Sequence, residues 1–368
     1  MNLDFISVLL EAEGAGPRIP HPEDAIFGGL SEVNKYLTGI EQVIKNPAST
    51  SIKWDGGIAL FFGYTPGGEF FVSDKYMYPA GFYARSPADW QKYDTQVKAS
   101  RQPRPDLYPK IELIWEGLRS AVTEQAVFKG DLMALGAEMK PNGKAFVFKP
   151  TTVTYTVPVK SPMGAAMEGK VAMIVVHSKG NAPWDGVSGL TNAGDVAVIG
   201  PMGMPAGQKS KPFTLNEPTR ILKNAKRAVA AEGPRAEQFL AGLDGVSKAK
   251  IQTYFNKQIT GQTKDPLDTW LSSPESNTKP GTVKKLVGDG ETGYLTVNAE
   301  GYQALADVWN AMYQLKNSIA DQLEKQVAGF SQSINGQPGG EGFVSNTPGA
   351  GLIKLVNRGV FGGAHFNK

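Results

Sequence analysis

The strongest constraint on this chain's fold is that its hydrophobic period changes twice. From about residue 50 to 200 the apolar residues come in short runs: "SIKWDGGIALFFGY", "GEFFVSDKYMY", "AVFKGDLMAL", "AFVFKP", "TVTYTVPV" and "VAMIVVHS". Gly, Pro and Asn punctuate them, which is how strands joined by turns read. One helix interrupts the run, near "PKIELIWEGLRSAVTEQ". Strands that do not alternate regularly with helices predict an α+β fold with a mainly antiparallel sheet.

From about 215 to 333 the period becomes helical, in "EPTRILKNAKRAVAAEG", "RAEQFLAGL", "VSKAKIQTYFNKQI" and the long stretch from "AEGYQAL" onward. A hairpin-like "GDGETGYLTVN" lies among them. "NGQPGGEG" then breaks the pattern, and "GFVSN" and "GLIKLVNRGVF" return to strand texture. Upstream, Leu30, Val33, Leu37, Ile40 and Val43 recur at helical spacing, with Ser31 placed to cap. The expected layout is an N-terminal helical segment (1–48), a β-rich domain from 49–214 closed by 334–368, and a helical insertion (215–333).

Composition narrows the chemistry. A chain of 368 residues, 41% hydrophobic and 20% charged, can bury a core without disulfides. It has no cysteine, which removes thiolate catalysis and zinc-thiolate sites. Its three histidines, His21, His177 and His365, are far apart, which argues against a His-rich metal site or a Ser-His triad. A net charge of +3 announces no strong polyanion field. "FISVLL" follows an aspartate and is too short to span a bilayer, so the expectation is a cytoplasmic protein with no membrane partner.

Within "STSIKWDGGIALFFG" a lysine interrupts an apolar strand pattern. Lys53 can be an edge-strand lysine that snorkels to water ahead of an Asp-Gly turn. Alternatively it is a nucleophile, whose amine must be partly desolvated to react. Four common residues, K-x-D-G, do not decide between these. What favours the nucleophile is the ordered recurrence of further short elements: "FFVSDK", "KGDLM", "VVHSKG", "GGEGFV" and "KLVNRGVF".

Taken together, these stretches resemble the covalent nucleotidyltransferase superfamily, which includes ATP-dependent DNA and RNA ligases and mRNA-capping guanylyltransferases. They are most similar to poorly characterised members encoded by tailed bacteriophages. The resemblance implies an ATP-grasp-like ligase adenylation domain in which Lys53 attacks the α-phosphate of a nucleotide. Asp55 would orient the site, Gly56 would let the backbone turn against the nucleotide, and Ile52 would lie beside it. Lys75 is the first choice for the basic residue of the next motif and Arg85 the second. Asp131 in "KGDLM" stands where the family usually has Glu and would hold a ribose hydroxyl or a metal-bound water. Glu341 in "EGFV" would be a second metal-binding carboxylate, and Lys354 would reach the α-phosphate.

The chain departs from the family at three places. Ile58 stands where a basic or amide side chain usually meets the ribose. The strand "KVAMIVVHS" offers no base-stacking aromatic beyond the imidazole of His177, which leaves Tyr155 as a substitute, unless it is simply a core tyrosine. Val356 stands where a second lysine is usual, and Arg358 is the nearest other cation. "GAAMEGKV" nearly fits a P-loop, but it ends on Val171 and leads into a strand.

The resemblance implies ATP, with Mg²⁺ or Mn²⁺ on Asp131 and Glu341, and AMP transfer from Lys53 to a nucleic-acid 5′-phosphate by a monomer. A capping-type guanylyltransferase and a catalytically impaired nucleotide- or nucleic-acid-binding protein of the same fold are the alternatives. The resemblance leaves the helical block unexplained. There Arg220, Lys223 and Arg227 share one helix face that is either solvated or tracks phosphates.

Overall fold

The computed structural model describes residues 21–97, 102–216, 219–289 and 291–361. The early run "FISVLL" and His365 lie outside them. The described chain forms two compact units. The first is Ser51–Lys211 with Val327–Glu341, and the second is the described part of Arg18–Thr50, Pro212–Gln326 and Gly342–Lys368. The stretch expected to close the β-rich domain is therefore divided at Glu341. Among the described residues no helix is long and apolar enough to cross a membrane.

The boundary between the units falls within β1 (Thr50–Ile52), which runs directly into Lys53 of the first unit. The strands β2 (Ile58–Tyr64), β3 (Phe70–Asp74), β4 (Val127–Leu135), β7 (Ala172–Lys179) and β8 (Ala182–Pro183) form an antiparallel sheet in the order β3-β2-β4-β7-β8. β9 (Val196–Ile199) lies parallel to β7. Successive side chains on a strand point to opposite faces, so the sheet has two chemically distinct sides. One carries Leu60, Phe62, Phe128, Leu132, Ile174 and Val176, packed with Ile111, Ile114, Trp115 and Leu118 of the Tyr108–Ala121 helix. On the other, Asp131 lies between Ala59 and Val175, and Lys129 is cross-strand from Phe61.

A second antiparallel sheet of the same unit runs β11-β10-β6-β5, from β5 (Ala145–Phe148), β6 (Thr154–Pro158), β10 (Ser331–Ile334) and β11 (Gln337–Pro338). The pairing of β10 with β6, Gln332 opposite Tyr155, returns the late segment of the chain to this unit.

The second unit is mainly helical. The Thr219–Ala241 and Ala299–Glu324 helices are its longest, and it also holds the hairpin of β12 (Phe343–Thr347) and β13 (Gly351–Leu355). Three expectations change here. The two helical runs either side of "EGPR" are one helix with Pro234 inside it. Pro234 is exposed, so water can satisfy the carbonyl freed by the missing N–H. Gly29, at φ 104°, rather than Ser31 precedes the Leu30–Lys45 helix. The hairpin-like "GDGETGYLTVN" instead holds an aspartate turn, in which Asp289 accepts from the Thr292 N–H and hydroxyl, and the short helix Tyr294–Val297.

Candidate functional site

The segment after β1 is held from both sides of the backbone. Ile52 is buried in the core, and its N–H donates to the Pro201 carbonyl at 3.3 Å. The Trp54 indole N–H donates to the same carbonyl at 3.1 Å. The indole ring is stacked on both Phe330, with centroids 4.8 Å apart, and Tyr155, at 5.4 Å, and these two rings also touch each other at 6.4 Å, so the three form one cluster. In an extended backbone Lys53 then points away from this aromatic stack. Its ammonium is ion-paired with Glu341, whose side chain is only 12% exposed.

Beyond Lys53 the backbone N–H of Asp55 donates to the Tyr155 hydroxyl at 2.9 Å. The Thr152 N–H donates to Oδ2 of Asp55, and the Thr151 hydroxyl donates to the Asp55 carbonyl, each at 3.3 Å. Gly56 is packed against Asp131 so closely that a β-carbon there would meet Cβ of Asp131 at 2.2 Å. Gly57 continues the contact, its N–H donating to the Leu132 carbonyl at 3.0 Å.

Asp131 is also held from β7, where Nε2 of His177 lies 2.9 Å from its Oδ2. Alternation along β7 puts His177 on the same face as Val175, which is opposite Asp131. Gly130 pairs with Val176 and Lys129 with Ser178, which leaves His177 as an extra residue on the β7 side.

Lys53, Asp55, Gly56, Asp131 and Glu341 therefore meet in the first unit, drawn from widely separated parts of the chain. Lys354 is half-buried on β13 of the second unit, cross-strand from Val344. Lys75 follows Asp74, which is opposite Leu60, and so lies at the same end of the sheet as Ala59 and Asp131. Arg85 does not: it is exposed and ion-paired with Glu69 at 2.8 Å, beside the Tyr64–Phe70 pair. That pair is five residues along β2 from Ala59, roughly 16 Å at strand rise.

Tyr155 is fully buried, with Phe148 stacked at 5.3 Å and Trp54 at 5.4 Å. The ring has no exposed surface, so it cannot stack on a nucleotide base. Burial pushes its phenol well above the ordinary value, and the hydroxyl orients Asp55 instead. Ile58 packs toward the helix-covered core rather than the Asp131 face. Val356 is buried, and the Arg358 guanidinium is bound to Glu23 and Asp24.

Sequence reasoning assigned no role to Trp54, Phe330, Thr152 or His177 as the partner of Asp131. Lys129, buried with its ammonium 5.6 Å over the Phe61 ring, was also missed. Its place two residues before Asp131 on one strand was the available signal, since period 2 puts them on one face.

Among the described residues no group of three or more His, Cys, Asp or Glu is arranged to hold a metal. Mg²⁺ carried by a nucleotide needs only one or two carboxylates, its remaining positions being filled by water and phosphate oxygens. Asp131 and Glu341 would be the residues to serve it.

Comparison with known proteins gives one match, to DUF6267, a family of unknown function, over residues 18–368. No curated protein matches, and no solved structure matches.

Proposed function

The chain belongs to the DUF6267 family, and for it we propose an ATP-dependent, polynucleotide ligase-like nucleotidyltransferase that works through Lys53. The observation that carries this reading is the convergence of two distant acids on the short segment that bears Lys53. Glu341 reaches Lys53 from the late segment, while Asp131 packs against Gly56, three residues beyond it. A surface lysine on an edge strand needs neither.

In the proposed reaction the Lys53 amine, after losing a proton, attacks the α-phosphorus of ATP. A P–N bond forms, the bond to the bridging oxygen of the β-phosphate breaks, and pyrophosphate leaves with that electron pair. A 5′-phosphate oxygen of a nucleic acid then attacks the same phosphorus. The P–N bond breaks, Lys53 recovers its proton, and AMP passes to the nucleic-acid end. When bound, a divalent cation supplies positive charge against the phosphate oxygens, and Asp131 and Glu341 are the residues to hold it. The Trp54 stack and the Tyr155–Asp55 bond keep the Lys53 backbone fixed, which matters because misplacement by about 1 Å can cost 100-fold in rate.

A second reading is supported by Ile58, Val356 and Arg358. The first two are turned into apolar cores and the third is committed to Glu23 and Asp24, so contacts usual in the resembled enzymes are missing. It is a protein that keeps the nucleotide- or nucleic-acid-binding face without the chemistry. Incubating the full chain with α-labelled ATP or GTP and Mg²⁺ separates the readings. Retained label from ATP supports the ligase-like reaction, and label from GTP alone supports a capping-type guanylyltransferase. No label from either supports the binding protein. Lys53→Ala is expected to abolish labelling without unfolding the chain, and labelling that survives this change refutes the assignment.

A further inference from the structure

We infer that His177 is a positioning residue that fixes the Asp131 carboxylate for a divalent cation, an assignment that rests on reading Asp131 as a cation ligand. A carboxylate carries no proton to donate, so the 2.9 Å contact requires Nε2–H of His177 to donate to Oδ2 of Asp131. With Oδ2 occupied, Oδ1 is the oxygen left for a further ligand. Ligating carboxylates depend on such partners, because an unrestrained side chain must be ordered at each binding event.

Three observations make the contact more than a chance surface pair. His177 shares its strand face with Val175, which is opposite Asp131, and the bulge leaves it with no residue of β4 directly across, in an irregularity of a kind that recurs beside active sites. Gly56 closes on Asp131 from the Lys53 side, so the carboxyl group is confined between the lysine-bearing segment and the imidazole. The two side chains are 28% and 19% exposed, so the pair is sheltered but remains open to a small ligand.

The test is Mn²⁺ binding by the full chain, followed from the electron-spin signal of free Mn²⁺, with α-labelled ATP transfer measured alongside. His177→Ala is expected to weaken Mn²⁺ binding about tenfold or more. His177→Gln, which offers an amide N–H at similar reach, is expected to recover most of it. Asp131→Asn should weaken binding at least as much, and adding His177→Ala to it should cause no further loss, because the two act as one unit. Equal Mn²⁺ binding by wild type and His177→Ala, whether tight or absent in both, overturns the inference, as does a Gln variant no better than Ala. The nucleotidyl-transfer proposal fails separately: a chain that takes no label from either nucleotide yet loses Mn²⁺ affinity in His177→Ala keeps the positioning role and loses the reaction.

Discussion

Gly56 and Asp131 are in contact at a distance that leaves no room for a methyl group. A β-carbon on Gly56 would lie 2.2 Å from Cβ and 3.0 Å from Cγ of Asp131, with Met133 Sδ at 3.2 Å. The obstruction is the root of a short side chain on a central strand, which cannot swing aside as a lysine tip could. Gly56→Ala must therefore push the Lys53–Asp55 segment or β4 out of place. The expected outcome is a fall in nucleotide labelling of about 100-fold, together with a lowered thermal midpoint. Gly57→Ala is the control, because its β-carbon would meet nothing nearer than 3.6 Å. Equal labelling by the two variants would show that the Gly56 contact does not govern the site.

How much of this was legible in the sequence depends on the range of the interaction. Lys53, Asp55 and Gly56 were visible because they are neighbours in one short motif, and Asp131 because it follows Gly130 in a strand-like run. Glu341 entered only through a resemblance, since nothing local says that a carboxylate beyond "NGQPGG" returns to Lys53. Tyr155 was offered as a base-stacking ring. The alternation Val153, Tyr155, Val157, all fully buried, pointed instead to a core face. The imidazole of His177 could not be directed at Asp131 beforehand, because that needs the register between β4 and β7, and register is a property of two paired strands. Arg358 was the nearest cation to Val356 other than Lys354, yet its partners include Glu23 and Asp24, acids from the other end of the second unit's sequence.

Phe330 links the late segment to the nucleophile's neighbour. Its ring lies 4.8 Å from that of Trp54 and is only 8% exposed. Phe330→Ala removes one ring of the three-ring cluster that holds Trp54 and leaves a cavity. A loss of about 3 kcal/mol in urea denaturation is expected. Phe330→Leu, which keeps most of the apolar volume, should cost less than half of that. A Leu variant as unstable as the Ala variant would show that ring stacking, rather than volume, fixes Trp54.

In the second unit Lys316 and Glu23 are both fully buried, with 2.5 Å between Nζ and Oε1. Burial pushes the Lys316 ammonium below its ordinary value despite the attraction of Glu23, and Arg358 adds to the lowering. A pair like this contributes little net stability, but losing one member strands the other. Lys316→Met keeps much of the volume and leaves Glu23 with Arg358 alone. It is expected to cost about 3 to 5 kcal/mol by chemical denaturation. Adding Glu23→Gln should recover a large part of the loss, since it removes the stranded charge. Additive losses in the double variant would place the cost in packing instead.

At Asp244 the same logic applies with solvent on one side. Its Oδ1 accepts from the Ser247 N–H at 2.8 Å, capping the Gly245–Ile259 helix, and its Oδ2 meets Nζ of Lys285 at 2.9 Å. The hydrogen bond from Lys285, then those from Ser247, draw the carboxyl down to about 2 from an ordinary 3.8. A carboxylate lowered in the folded state stabilises above its unfolded value and loses that contribution as pH falls through the folded one. The affected window therefore runs from about pH 4 down to about pH 2. Asp244→Asn keeps a capping oxygen and removes the charge. Its thermal midpoint should lie below that of wild type at pH 7, and the gap should close as pH approaches 2. Added salt at pH 7 should narrow the gap as well, because the site is exposed and the pair is screened. A gap of unchanged size at pH 2 would assign the effect to altered cap geometry and exclude the charge as its source.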